Sequence, residues 1–123
     1  MYNIQTLNKI AAVGTSKFDS SKYTVGDSVE NPEAIMVRSA KMHDMEFGSN
    51  LLAIARAGAG VNNIPVDKCA EAGICVFNTP GANANAVKEL AICAMLLSSR
   101  KITEAAAWAA SLKGTPDAPK TVE

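Results

Sequence analysis

Aromatic residues are scarce: one Trp, two Tyr and three Phe in 123 residues. With 48% apolar residues and twenty-one alanines, a core has to be assembled from small aliphatic side chains, as expected where helices lie close on a sheet. An excess of either charge is lacking too, since twelve Lys+Arg balance twelve Asp+Glu. That balance argues against a nucleic-acid partner, which calls for a basic excess or a basic face, and against a polybasic membrane-surface protein. No long hydrophobic run is present. Residues 90–99 (LAICAMLLSS) form the longest strongly apolar stretch free of charge, about half the ~20 residues of a spanning helix, so no membrane partner is expected. The opening MYNIQTLNKIAAVG lacks the basic start and apolar run of a signal peptide, and a cytoplasmic location is expected. Cys69, Cys75 and Cys93 are odd in number and lack CxxC spacing, which indicates neither a disulfide framework nor a metal site; they read as small buried apolar residues. The single histidine, His43, adjoins Asp44, but neighbours in a helix do not face each other, so the two form no general-base pair and His43 reads as a surface residue.

What is present is a series of short β-rich runs separated by turns and helical segments. Residues 9–14 (KIAAVG), 23–25 (YTV), 34–38 (AIMVR), 52–57 (LAIARA) and 74–78 (ICVFN) are strand candidates. Continuous apolar strands in such alternation predict an α/β fold, with a parallel sheet covered on both faces. Pro65 suits a first helical position, Asp67 and Glu71 an N-terminal half, and Gly73 the residue past the end, so a helix is expected between the last two strands. From Ala84 the pattern becomes one long helix, apolar on more than one side and closed by Gly114 and Pro116. The expected organisation is a domain over residues 1–83, a long crossing helix over 84–113 and a linker-like tail over 114–123.

The most suggestive motif is Gly58-Ala59-Gly60 directly after a strand. A dinucleotide fingerprint requires G-x-G-x-x-G and an acidic residue ending the next strand, but here the sixth position is Asn63 and that strand ends in Asn78. Two other readings stand: a turn whose glycines serve backbone geometry alone, or a cradle of N–H groups for a ligand anion. Arg38-Ser39 end a strand in the same direction, offering a guanidinium fork suited to a carboxylate or phosphate. Asn83 opens the long helix, as cap or as ligand donor. Arg56, inside an apolar strand, either pairs with an acid or points at a ligand. No nucleophile, paired carboxylates or base–orienter pair emerges.

Val37-Arg38-Ser39-Ala40 and the run AIARAGAGVNNIPVDKCAEAGICVFNTPGANANAVKEL closely resemble the N-terminal region of the bacterial D-3-phosphoglycerate dehydrogenases, a branch of the D-2-hydroxyacid dehydrogenase family. The resemblance covers nearly the whole chain. It implies a flavodoxin-like substrate domain followed by a long interdomain helix, with the Rossmann domain absent from this chain and no catalytic residue within it. It implies NAD as cofactor, bound mainly by that other domain, and a small phosphorylated hydroxy acid as substrate in serine biosynthesis. Arg38 and Ser39 match the pair facing the substrate's acid end; Ala59 and Gly60 match the turn touching substrate, with Ala59 also at the cofactor. Asn83 matches an asparagine of the substrate pocket, and Arg56 is placed to reach the phosphate. A homo-oligomer through the long helix is implied as well. One departure is the shortened segment GTSKFDSSKYTVGDS where the family has a covering helix, which leaves one sheet face thinly covered. The alternatives are another D-2-hydroxyacid dehydrogenase or a non-catalytic flavodoxin-like interaction module. A receiver module is disfavoured because Val13-Gly14-Thr15 and Arg38-Ser39 stand where it needs acids.

Overall fold

In a computed structural model, which describes residues 1–118 and 120, the chain divides into two compact units, Met1–Asn83 and Ala84–Glu123. The first holds five strands, Tyr2–Leu7 (β1), Tyr23–Gly26 (β2), Ala34–Val37 (β3), Ala53–Arg56 (β4) and Cys75–Phe77 (β5). All pair in parallel, in the order β2-β1-β3-β4-β5. This is the flavodoxin-like order, in which the direction of winding reverses between β1 and β3.

Three of the last four strands fall inside the apolar runs of the sequence, and β2 extends its run by one residue. The first does not. Residues 9–14 are not a strand; β1 is the more polar YNIQTL before them, and part of that run forms the four-residue helix Ala12–Thr15 (α1). Asn8 explains the shift, because its φ of 71° turns the chain out of the extended region immediately after Leu7. Two polar side chains of β1 find partners, Asn3 donating to the Glu30 carbonyl and Gln5 to that of Asp27.

Register partners in a parallel sheet share a face. Ile35, Ile54 and Val76 lie side by side on one face, next to Val37. The core closes over that face with Met42, Leu51, Ile64, Cys69 and Ile74, drawn from the β3–β4 loop and from the segment around Val66–Glu71 (α2). Asp67 sits in the first turn of α2 and Gly73 at φ 73° follows its end, as the sequence predicts, whereas Pro65 stands one residue before the helix at ψ 79° and Glu71 is its last residue. The opposite face carries Tyr2, Tyr23, Ala34, Ala53 and Cys75, and one step on Met36, Ala55 and Phe77. There Tyr2 and Phe77 are each 58% exposed. Burial of both faces is therefore a corrected expectation: α1 buries nothing, and the β3–β4 connection contains no helix.

The second unit holds the helices Ala84–Arg100 (α3) and Ile102–Ser111 (α4). The single long helix expected over 84–113 is broken at Lys101, which adopts φ 48° and ψ 40°. Just before the break, the hydroxyls of Ser98 and Ser99 donate to the carbonyls of Met95 and Leu96, competing with the backbone ladder where a helix bends. Neither helix has a buried residue, and no helix among the described residues is long and apolar enough to cross a membrane.

Candidate anion site

The carboxyl ends of β3 and β4 and the segment after β5 enclose an open cleft of about 680 Å³ within the first unit. Arg38 lines it from the end of β3; Arg56 and the Gly58-Ala59-Gly60 turn line it from β4; Thr79, Ala82 and Asn83 complete it. No carboxylate is among these residues. The described residues contain two ion pairs, Lys68–Glu46 and Lys120–Asp117, and neither involves an arginine. The ion-pair alternative for Arg56 is thus not realised. Its Nε instead donates to the Arg38 carbonyl at 3.1 Å, linking the two strand ends.

Gly58 has a steric task rather than a conformational one. Its φ is not left-handed, unlike that of Gly73, Gly81 and Gly114. A Cβ built on it would stand 2.8 Å from Nη1 of Arg56 and 3.1 Å from Cζ. A side chain here would displace the Arg56 guanidinium from its present position over the turn.

The turn is also tied to the exit of β5. Asn78 Nδ2 donates to the Ala59 carbonyl at 2.7 Å, and the Thr79 N–H donates to the Gly58 carbonyl at 3.0 Å. The N–H groups of Ala59, Gly60 and Val61 find no acceptor among the described residues. Successive free N–H groups beside two guanidinia make an environment for an anion.

Of the residues singled out in the sequence, Arg38, Arg56, Ala59, Gly60 and Asn83 are brought together. Ser39 does not line the cleft; its N–H is held by Asn8 Oδ1 at 2.9 Å. The closeness of the Arg56 guanidinium to Gly58 and the parts played by Thr79 and Asn8 were not anticipated. Asn8 did carry a signal, since an asparagine directly after a strand is among the few residues that enter the left-handed region readily. His43 is exposed, with Nε2 at 3.0 Å from the Asn62 carbonyl, and forms no ion pair among the described residues. Of the cysteines, Cys69 is buried, whereas Cys75 and Cys93 are exposed, correcting the expectation for those two. Among the described residues no group of three His, Cys, Asp or Glu could hold a metal ion.

The turn does not fit a dinucleotide pyrophosphate. At the third glycine position of the fingerprint stands Asn63, 8% exposed, with Nδ2 donating to the Ala40 carbonyl at 2.9 Å. The following helix begins only at Val66.

Comparison with known proteins gives a consistent picture. The family profile described as "D-isomer specific 2-hydroxyacid dehydrogenase, catalytic domain" matches residues 2–116. The chain is 49% identical over 76 residues to a hydroxypyruvate reductase of Thermotoga maritima, covering 59% of this chain and 25% of that protein. It is 45% identical over 76 residues to a D-3-phosphoglycerate dehydrogenase of Archaeoglobus fulgidus, covering 59% and 14%. With that of Synechocystis it shares 38% over 105 residues, covering 83% and 19%. A crystal structure of NAD+-bound 3-phosphoglycerate dehydrogenase from Entamoeba histolytica superposes with a TM-score of 0.62 at 25% identity, over 78% of this chain and 38% of that one. The chain spans a quarter or less of the length of these three curated relatives.

Proposed function

Because this chain belongs to the D-isomer specific 2-hydroxyacid dehydrogenase family, we propose that its cleft binds the charged groups of a phosphorylated 2-hydroxy acid. The activity it serves is then NAD-dependent oxidation of D-3-phosphoglycerate to 3-phosphohydroxypyruvate, a step of serine biosynthesis. The observation that carries this reading is the pair of arginines, Arg38 and Arg56, in one cleft with no carboxylate to neutralise either. Two free guanidinia suit a ligand with two anionic groups, one a carboxylate and the other a phosphate. Arg38 takes the acid end and Arg56 the phosphate. Gly60 and Ala59 supply N–H groups and Asn83 an amide, whereas Ser39, expected at the substrate, lies outside the cleft with its N–H held by Asn8. Ala59 also touches the edge of NAD, whose main seat the glycine turn does not provide. The role of these residues is to bind and orient substrate, which accelerates a reaction without any proton transfer of their own. A cytoplasmic location and a homo-oligomer formed through α3, which exposes Val87, Leu90 and Met95, belong to the same proposal.

A second reading is favoured by the 49% identity to a protein named hydroxypyruvate reductase: the substrate is then an unphosphorylated hydroxy or keto acid. Titrating the isotope-labelled chain with D-3-phosphoglycerate and with D-glycerate distinguishes them. The expected result is that amides of residues 58–61 shift, with at least about tenfold tighter binding of the phosphorylated acid, as one charge-assisted contact more implies. Equal affinities favour the second reading, and no shift with either acid removes both. With NAD and D-3-phosphoglycerate, the chain alone is expected to form no NADH, because no base stands among the residues lining the cleft.

A further inference from the structure

Asn8 lies where β1 ends, at the point where the winding of the sheet reverses between β1 and β3. Strand order alone leaves a gap there, since the chain departs from β1 toward β2 while β3 ends alongside it. The Asn8 side chain spans that gap. Its Oδ1 accepts the N–H of Ser39 at 2.9 Å and that of Ala40 at 2.8 Å. From the opposite side, Asn63 Nδ2 donates to the Ala40 carbonyl at 2.9 Å, and the Asn63 carbonyl accepts the Met42 N–H at 2.9 Å. The segment fastened from both sides begins at Arg38, whose carbonyl accepts the Arg56 Nε. Both arginines of the cleft are therefore referred to one short stretch of backbone.

The two fastenings differ in burial. Asn63 is buried and counts toward the fold, whereas Asn8, Ser39 and Arg38 are exposed. If the Asn8 acceptor is lost, the two N–H groups return to water at little cost to folding. The backbone after Arg38 then gains freedom that a ligand has to remove on binding, and affinity falls. We infer that Asn8 is a positioning residue of the anion cleft, acting through Ser39 and Ala40 on Arg38 and, through the Arg38 carbonyl, on Arg56. This rests on the cleft being an anion site.

Asn8→Gly is the informative variant, because glycine adopts the left-handed φ of 71° without strain and removes only the acceptor. The full chain and its variant are titrated with D-3-phosphoglycerate by amide shifts, with melting temperature and amide exchange of Ser39 and Ala40 measured in parallel. The expected result is faster exchange at both amides, a melting temperature held within about 3 °C, and affinity about three- to tenfold weaker, the range of one net hydrogen bond. Unchanged affinity in a variant whose parent binds overturns the inference alone. A fall in affinity accompanied by a melting temperature lowered beyond that margin makes Asn8 a residue of the fold only and also overturns it. An unmodified chain that binds no phosphoglycerate overturns both this inference and the reading of the cleft.

Discussion

The two faces of the sheet are built from similar side chains and end in different states. On one, Ile35, Val37 and Ile54 are almost wholly removed from solvent beneath Met42, Leu51 and α2. On the other, Ile4 is buried but Tyr2 and Phe77 remain more than half exposed. Apolar strands state that a face can be buried; the connections decide whether it is. The β4–β5 connection supplies α2 and Ile64, and the β3–β4 connection supplies Met42 and Leu51, all to the same face. The β1–β2 connection supplies only α1, with no buried residue. Two cysteines report the contrast with one chemistry: Cys69 is sealed in the core, and Cys75 is exposed in β5.

The largest test of this contrast is truncation on each face. Ile54→Ala is expected to cost about 2–5 kcal/mol of unfolding free energy, the range for a fully buried aliphatic residue losing its branch. Phe77→Ala should cost no more than about 1 kcal/mol, because most of its ring already meets water. Denaturant titration measures both, and comparable losses would mean that the second face is as well packed as the first. Next in size is the polar end of the packed face, where β4 passes from Ile54 to Arg56. Arg38→Ala or Arg56→Ala should each weaken phosphoglycerate binding by about 1.5–3 kcal/mol. A fall in thermal stability of the same size, without loss of binding, would assign that arginine to the fold instead. The smallest effect concerns pH. Burial pushes the Cys69 thiol above its ordinary value, with Lys68 acting weakly the other way. In the window above about pH 8.5 the unfolded thiol loses its proton while the folded one keeps it. The folded state then binds more protons, so stability is complete below that window and declines as pH rises through the raised value. Cys69→Ala should flatten the alkaline part of the stability curve, whatever it does to its height; an unchanged slope would remove Cys69 as the cause.

Much of the sheet is legible in the sequence because β3, β4 and β5 are short apolar runs that end at Arg38, at the glycine turn and at Asn78. Helix α2 is legible from Pro65 and Gly73, residues whose backbone preferences are local. The first strand is not, because three of the six residues of YNIQTL are polar although it lies inside the sheet, and KIAAVG is the more apolar run. The left-handed turn at Asn8 decides between them, and it is held by bonds to residues more than thirty positions away. The break at Lys101 has no glycine or proline to announce it. At the cleft, the residue types could be read, but the freedom of Arg56 from any acid depends on which side chains surround it. The sequence leaves the glycine turn open between backbone geometry and an anion cradle, because the rotamer that folds the Arg56 guanidinium back over Gly58 leaves no mark in it.

The single hydrogen bond made by the Arg56 guanidinium divides that group into two edges. The Nε edge is spent on the Arg38 carbonyl, while the Nη atoms have no partner among the described residues. One side chain thus serves as a strut between strand ends while its Nη atoms stay unpartnered at the cleft. A lysine has one ammonium group at the end of a flexible stem and no such second edge. It could brace the loop or meet an anion, but its single head would have to be shared between the two tasks.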